Sequence, residues 1–131
     1  MSIDAMLQAA LAVRKNAHVP YSHFQVGACL KGKSGKLYAA CNVENAAYPQ
    51  SQCAEASAIG VMVAAGEKEI VEVLVVAESP EPVSPCGGCR QRLREFAGDS
   101  TPVHLCGPDG LRRTITLGEL LPLSFGPSHF R

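Results

Sequence analysis

Two short cysteine-bearing segments constrain this chain more than any other feature: Cys53-Ala54-Glu55 and, well downstream, Pro85-Cys86-Gly87-Gly88-Cys89. If the three thiols serve one ion, the fold must bring both segments to a common corner. Three thiolates are the soft donor set that Zn²⁺ favours where no redox role is evident. They are one ligand short of a tetrahedral shell; a structural zinc closes its shell with protein, whereas a catalytic zinc keeps a position for water. Glu55 is then the candidate to move protons to and from that water. The motif points to metal-assisted hydrolysis.

Spacing says where these residues must lie. Side chains two apart in a helix of ~3.6 residues per turn face roughly opposite sides, so Cys53 and Glu55 can serve one ion only at a helix start. Cys86 and Cys89, three apart, put both sulfurs on one face of a first turn. A helix N-terminus also offers positive potential and free N–H groups, which favour thiolate over thiol. A lone Cys-x-x-Cys reads equally well as a redox dithiol. The third cysteine in a matched context, the adjacent glutamate and the proline before the pair favour a metal.

Composition narrows the partners. Twelve Lys+Arg against twelve Asp+Glu leave no net charge over 131 residues, so there is no electrostatic footprint for nucleic acid or an anionic membrane. Six cysteines would suit three disulfides in a secreted scaffold. A 13.8 kDa chain with 47% hydrophobic residues does not need such staples, and Met1 to Met6 lack the basic start and apolar run of a secretory signal. A cytoplasmic protein with one domain over residues 1–131 is expected. Cys29, Cys41 and Cys106 fall in apolar, strand-like runs and are assigned to the core.

In chain order, apolar spacing predicts a helix over Ile3 to Asn16, with Ser2 as cap and Arg14 and Lys15 near its end. A loop follows from His18 to His23. Phe24 to Lys31 and Leu37 to Val43 read as strands of a hairpin around Gly32 to Lys36. The polar stretch Asn42 to Pro49 leaves the sheet. Cys53 to Ala65 reads as a buried helix stopped by Gly66, and Ile70 to Ala77 as a strand covered on both faces. A loop from Ser79 to Pro85 leads to a helix from Cys86 to Phe96. Pro102 to Cys106 and Leu111 to Thr116 are short strands around Gly107 to Gly110. Thr116 caps a short helix through Leu121, and the tail runs from Pro122. This order indicates an α/β fold with a mixed sheet, with ligands bound at strand ends near helix N-termini.

Cys53-Ala54-Glu55 with Pro85-Cys86-Gly87-Gly88-Cys89-Arg90-Gln91 resembles the signature of the zinc-dependent cytidine deaminases, whose chemistry is a known pattern. The resemblance extends to Phe24-Gln25-Val26-Gly27-Ala28, to Asn42-Val43-Glu44-Asn45-Ala46-Ala47-Tyr48, and to Leu117-Gly118-Glu119-Leu120-Leu121-Pro122 with Phe125-Gly126-Pro127. It covers nearly the whole chain and is closest to the small homotetrameric enzymes that act on free nucleosides.

The resemblance implies a three-layer α/β/α sandwich around a mixed, mainly parallel five-stranded sheet. It implies one Zn²⁺ per subunit on Cys53, Cys86 and Cys89, with Glu55 as the proton shuttle. Cytidine and 2′-deoxycytidine would be hydrolysed to the uridine nucleosides and ammonia, a pyrimidine-salvage reaction. Phe24 would pack on the pyrimidine, and Asn42 and Glu44 would bind the ribose. Ala54 would also contact substrate, while Ala46, Tyr48 and Phe125 would complete sites across subunits of a homotetramer. Members with three cysteines usually follow the glutamate with arginine; here the position is Ala56. Two positive charges against three thiolates leave the cluster negative, so the two helix N-termini and Arg90, with Gln91 as a neutral donor to sulfur, are the candidates to offset it.

Two other readings use the same residues. One changes the substrate to a blasticidin-type nucleoside or to a base in polynucleotide, which the zero net charge disfavours. The other is a zinc-stabilised interaction domain whose shell is closed by Cys41 or His23, which leaves Glu55 without a role. His18, His23, His104 and His129 have no ligand spacing and read as surface or packing residues.

Overall fold

The computed structural model describes residues 2–130. The first helix, α1, spans Ser2–Arg14 and buries Met6, Leu7 and Ala10. Its expected cap, Ser2, has a side chain outside the described residues. There follow β1 (Val26–Gly32), β2 (Leu37–Cys41), α2 (Ala54–Ala64), β3 (Ile70–Ala77), α3 (Gly87–Arg94), β4 (Pro102–Gly107), β5 (Gly110–Thr116) and α4 (Leu117–Leu120). Single 3₁₀ turns at Tyr48–Gln50 and Pro127–Phe130 lie where loop and tail are expected.

The hairpin forms, but later than the apolar run suggests. Phe24 stays off the sheet because Asn42 occupies the hydrogen-bonding groups there: Val26 N donates to Asn42 Oδ1 at 3.0 Å, and Asn42 Nδ2 donates to Phe24 O at 2.9 Å. At the far end of α2, Gly66 takes φ +92°, the left-handed conformation that lets a helix stop. Thr116 caps α4 as expected, through a reciprocal pair with Glu119.

The sheet order is β2-β1-β3-β4-β5. It is mixed and five-stranded, but the expectation that it is mainly parallel is corrected: β1 runs antiparallel to β2 and β3, β5 runs antiparallel to β4, and only β3 and β4 are parallel. The cause is connection length. The turns after β1 and β4 are too short for anything but hairpins, whereas a parallel pair needs a crossover, which α3 supplies between β3 and β4.

Three layers follow from the alternation of side chains along the strands. On one face Cys29, Leu74, Val76 and Cys106 meet Met6, Leu7 and Ala10 of α1. On the other, Ala28, Leu30, Val73, Val75, Val103 and Leu105 meet Ala54, Ala58 and Met62 of α2 and Leu93 of α3. Adjacent residues of β3 thus enter opposite cores, which is why its sequence is apolar without alternation. Gly27 is required by this packing, since a Cβ there would strike the Ala10 carbonyl and stand 3.0 Å from Arg14 Cβ. Cys29 and Cys106 are core residues as expected, but Cys41, last in the edge strand β2, is only half-buried. His104 is buried, bonded to Glu72 at 2.6 Å and Thr114 at 2.9 Å, and serves packing. Among the described residues, no helix is long and apolar enough to cross a membrane.

Candidate active site

The two cysteine segments meet at the N-termini of α2 and α3. Cys53 is the N-cap of α2, with φ −69° and ψ 156°, and Cys86 is the N-cap of α3, with φ −66° and ψ 167°. Neither sulfur accepts a capping hydrogen bond from its helix, so both remain available to a metal. Cys89 lies one turn into α3 and is buried. Extended backbone at the caps reconciles the spacing: because Cys53 is not yet helical, it and Glu55 need not face opposite sides.

The three Sγ atoms lie within 4.8 Å of one another, with Cys53 and Cys86 3.7 Å apart. Two thiolates on one tetrahedral zinc, with bonds of ~2.3 Å, sit about 3.8 Å apart, so the donor set and its spacing fit that ion. All six cysteines are free thiols. Among the described residues neither Cys41 nor His23 joins the cluster, which leaves the closed-shell reading without its fourth ligand. In the metal-free protein a hydrogen bond from Cys89 brings Cys53 down to about 6, against the effect of burial, helped by Cys86 and by the charge of Arg92. Cys89, which gives that bond, is pushed up by it and then by burial.

Glu55, in the first turn of α2, is 4% exposed. Burial pushes its carboxyl up to about 7; its own backbone N–H opposes the shift and the nearby Cys53 sulfur adds to it. It opens on a cavity of about 150 Å³ shared with Cys53, Cys86, Ala54, Asn42 and Ser84, and walled by Val26, Val75 and Val83. A buried acid, three convergent sulfurs and a small apolar cavity together can protonate and deprotonate a ligand held at a metal.

The family model for the cytidine and deoxycytidylate deaminase zinc-binding region matches residues 1–105. The chain belongs to the cytidine deaminase family. It is 40% identical to the cytidine deaminase of Sporosarcina psychrophila over 125 residues, which is 95% of this chain and 92% of that one. The crystal structure of a cytidine deaminase from Burkholderia pseudomallei is 40% identical with a TM-score of 0.89, covering 95% of this chain and 100% of that one. The structure of cytidine deaminase from Mycobacterium leprae is 38% identical with a TM-score of 0.77, covering 91% and 96%. The cluster on Cys53, Cys86 and Cys89 is thus the metal position of a zinc-binding deaminase domain.

The remaining deaminase residues expected from the sequence fall into three groups. Asn42 lines the cavity, yet its side chain also holds Val26 and Phe24. Glu44 faces a separate hollow of about 360 Å³ with Tyr21, Ser22, Tyr48 and Ser51. There it accepts from Tyr21 N at 3.0 Å and from Ser22 N at 3.1 Å, and the Ser22 hydroxyl bonds its other oxygen. The Ser22 hydroxyl is the main cause of a Glu44 carboxyl held below its ordinary value. These two side chains therefore strap the loop before β1 to the end of β2. His23, at φ +59°, turns the backbone just ahead of Phe24.

A second group lies on the surface. Phe24 is exposed, as are Ala46, Tyr48 and Phe125. Tyr48 packs edge-on against Tyr21, and Phe125 stacks on His129.

The third group, Arg90 and Gln91, gives its hydrogen bonds to loops beside the cluster. Arg90 does not spend its donors on sulfur: Nε donates to Pro85 O at 2.8 Å, Nη1 to Leu120 O at 2.8 Å and Nη2 to Ser84 Oγ at 3.0 Å. Gln91 likewise gives its amide to Phe125 O at 2.8 Å rather than to a thiolate. Between them they hold three carbonyls, of Pro85, Leu120 and Phe125, and the Ser84 hydroxyl. Sequence reasoning missed Val26, Val75, Val83 and Ser84 as cavity walls, and no local pattern marks them. It also missed Arg92, which the three-residue step from Cys89 along one helix face could have flagged.

Proposed function

We infer that the protein hydrolyses cytidine to uridine and ammonia. The observation that carries this is a cluster of three sulfurs, two of which, Cys53 and Cys86, share a single small cavity with one buried, non-ligating carboxyl. Cys53, Cys86 and Cys89 would hold zinc, which when bound supplies a water acidified towards ~7 as nucleophile at neutral pH. Glu55 takes the proton released as water adds to C4 and delivers protons to ring N3 and to the departing amine. The balance is one water consumed and one ammonia released. A carboxyl with its pKa near the working pH suits this double duty. Val26, Val75 and Val83 keep the reacting ring in an apolar space.

For the rest of the substrate, Asn42 and Glu44 are the ribose partners. Each keeps acceptor capacity beyond its bonds to the loop, and each lines a hollow. Ala54 lines the base cavity, and Phe24 packs on the pyrimidine from the loop those two residues hold. The reading extends to 2′-deoxycytidine, to pyrimidine salvage and to a cytoplasmic, single-domain protein. We also propose a homotetramer in which Ala46, Tyr48 and Phe125 reach neighbouring sites. Support comes from the exposure of Tyr48, Leu123, Phe125 and Phe130, apolar side chains that a lone subunit leaves in water.

Incubating zinc-loaded protein with cytidine, and assaying uridine and ammonia, tests the reaction. Deoxycytidine, blasticidin S and a cytosine-containing oligonucleotide tested beside it define the substrate class, and light scattering on the same sample gives the subunit number. No ammonia from cytidine would sink the reading.

A further inference from the structure

The three arginines of α3 have different fates. Arg90 is spent on Pro85, Leu120 and Ser84, and Arg94 bonds Ser124 and Ala97 and lies 3.8 Å from Asp99. Arg92 has neither kind of commitment: among the described residues it enters no ion pair, although Glu95 lines the same groove.

Its direction is informative. Arg92 lies in the last turn of α3, but its side chain runs back along the helix, so that a Cβ at Gly88 would stand 3.0 Å from Arg92 Nη1. Helical side chains lean towards the N-terminus as a rule, and here that lean carries the guanidinium towards the end of α3 that bears the sulfurs. Arg92, Cys53 and Ala56 line one groove of about 510 Å³, and Cys53 also lines the smaller cavity, so this one ligand of the cluster is shared by the two. The small side chain of Ala56 leaves the groove open for the guanidinium.

We infer that Arg92 is a positioning residue for the metal ligands: from the outer groove its guanidinium offsets the net negative charge that three thiolates leave on a divalent ion, and so strengthens zinc retention. This rests on the reading of the cluster as a zinc site. Arg92 touches neither cavity nor substrate and acts only through the sulfurs. Because the guanidinium is exposed, its effect is electrostatic and open to screening by salt.

The test is zinc affinity, measured by competition with a chromophoric chelator at low and high salt, for wild type, Arg92→Ala, Arg92→Lys and the equal-charge control Arg113→Ala. At low salt Arg92→Ala weakens zinc about 10-fold, the lower end for groups that support metal ligands. Arg92→Lys recovers most of the loss and Arg113→Ala loses nothing. High salt shrinks the difference, as expected for an exposed charge acting over a Debye length of about 10 Å at 0.1 M. In the Arg92→Ala background, Ala56→Arg restores affinity by filling the same groove. Equal affinities for wild type and Arg92→Ala overturn the inference; so does a loss that salt does not shrink or lysine does not recover. Cytidine turnover at saturating zinc separates the two readings: if it persists while affinity is unmoved, only the role of Arg92 falls. Wild-type protein that binds no zinc and releases no ammonia overturns both.

Discussion

Helices α2 and α3 begin alike, each on a cysteine in extended backbone with a sulfur its own helix does not use. Beyond the first residue they diverge. α2 continues Ala-Glu-Ala-Ser-Ala-Ile-Gly-Val-Met-Val-Ala, enters the core and carries a buried carboxyl; α3 continues Gly-Gly-Cys-Arg-Gln-Arg-Leu-Arg and carries three arginines. The cap geometry places sulfur, while the residues after the cap decide what surrounds it. The acid lies on the helix that excludes water, where its pKa rises, and the cations lie on the helix that meets solvent and loops. One corner thereby obtains a proton carrier on one side and positive charge on the other.

The largest expected effect comes from removing a shared feature. Cys86→Ser should lose zinc and with it detectable turnover, read by metal analysis and cytidine assay. The same change should raise the stability of the metal-free protein by ~0.5–1 kcal/mol, because serine caps a helix and this cysteine does not. Lower thermal stability of the metal-free variant would mean that the cap is not the uncommitted position described here.

Next comes the acid on α2. Glu55→Gln should keep zinc and lose ~10²–10⁴-fold in turnover. It also has a pH signature in the metal-free protein. The folded pKa of about 7 exceeds the ordinary 4.5, so the stability linked to this proton is full below 4.5 and lost as pH rises through 7. Melting curves from pH 4 to 8 should show that decline in wild type and its absence in Glu55→Gln. Parallel curves would remove the buried-acid half of the comparison.

The smallest effect separates arginines on one helix. Arg90→Ala removes three hydrogen bonds to partly buried partners and should cost about 1–3 kcal/mol in denaturant unfolding. In the metal-free protein Arg92→Ala should leave stability within ~0.5 kcal/mol, as a change to an exposed side chain without hydrogen-bond or ion-pair partners among the described residues. Equal losses would mean that α3 does not divide its arginines between holding loops and facing sulfur.

Much of this molecule was legible from the chain alone because the relevant physics is short-range. Apolar runs place β3 at Ile70–Ala77, a glycine marks the end of α2, and cysteine spacing puts Cys53, Cys86 and Cys89 at helix starts. The position of Glu55 two residues after a cap follows from the same reasoning. What tertiary structure alone decided depends on which groups arrive from elsewhere. The sheet is mainly antiparallel because hairpin length outweighs the α/β pattern of the elements. Arg90 serves structure because the Leu120 carbonyl, thirty residues away, comes within 2.8 Å. Asn42 and Glu44 bind a loop as well as facing the cavities because the backbone of Tyr21 to Val26 folds onto them. The sequence determines the ligands and the acid, since each needs only its own helix turn; the partners of every arginine and amide around them are set by segments that meet only when the chain is folded.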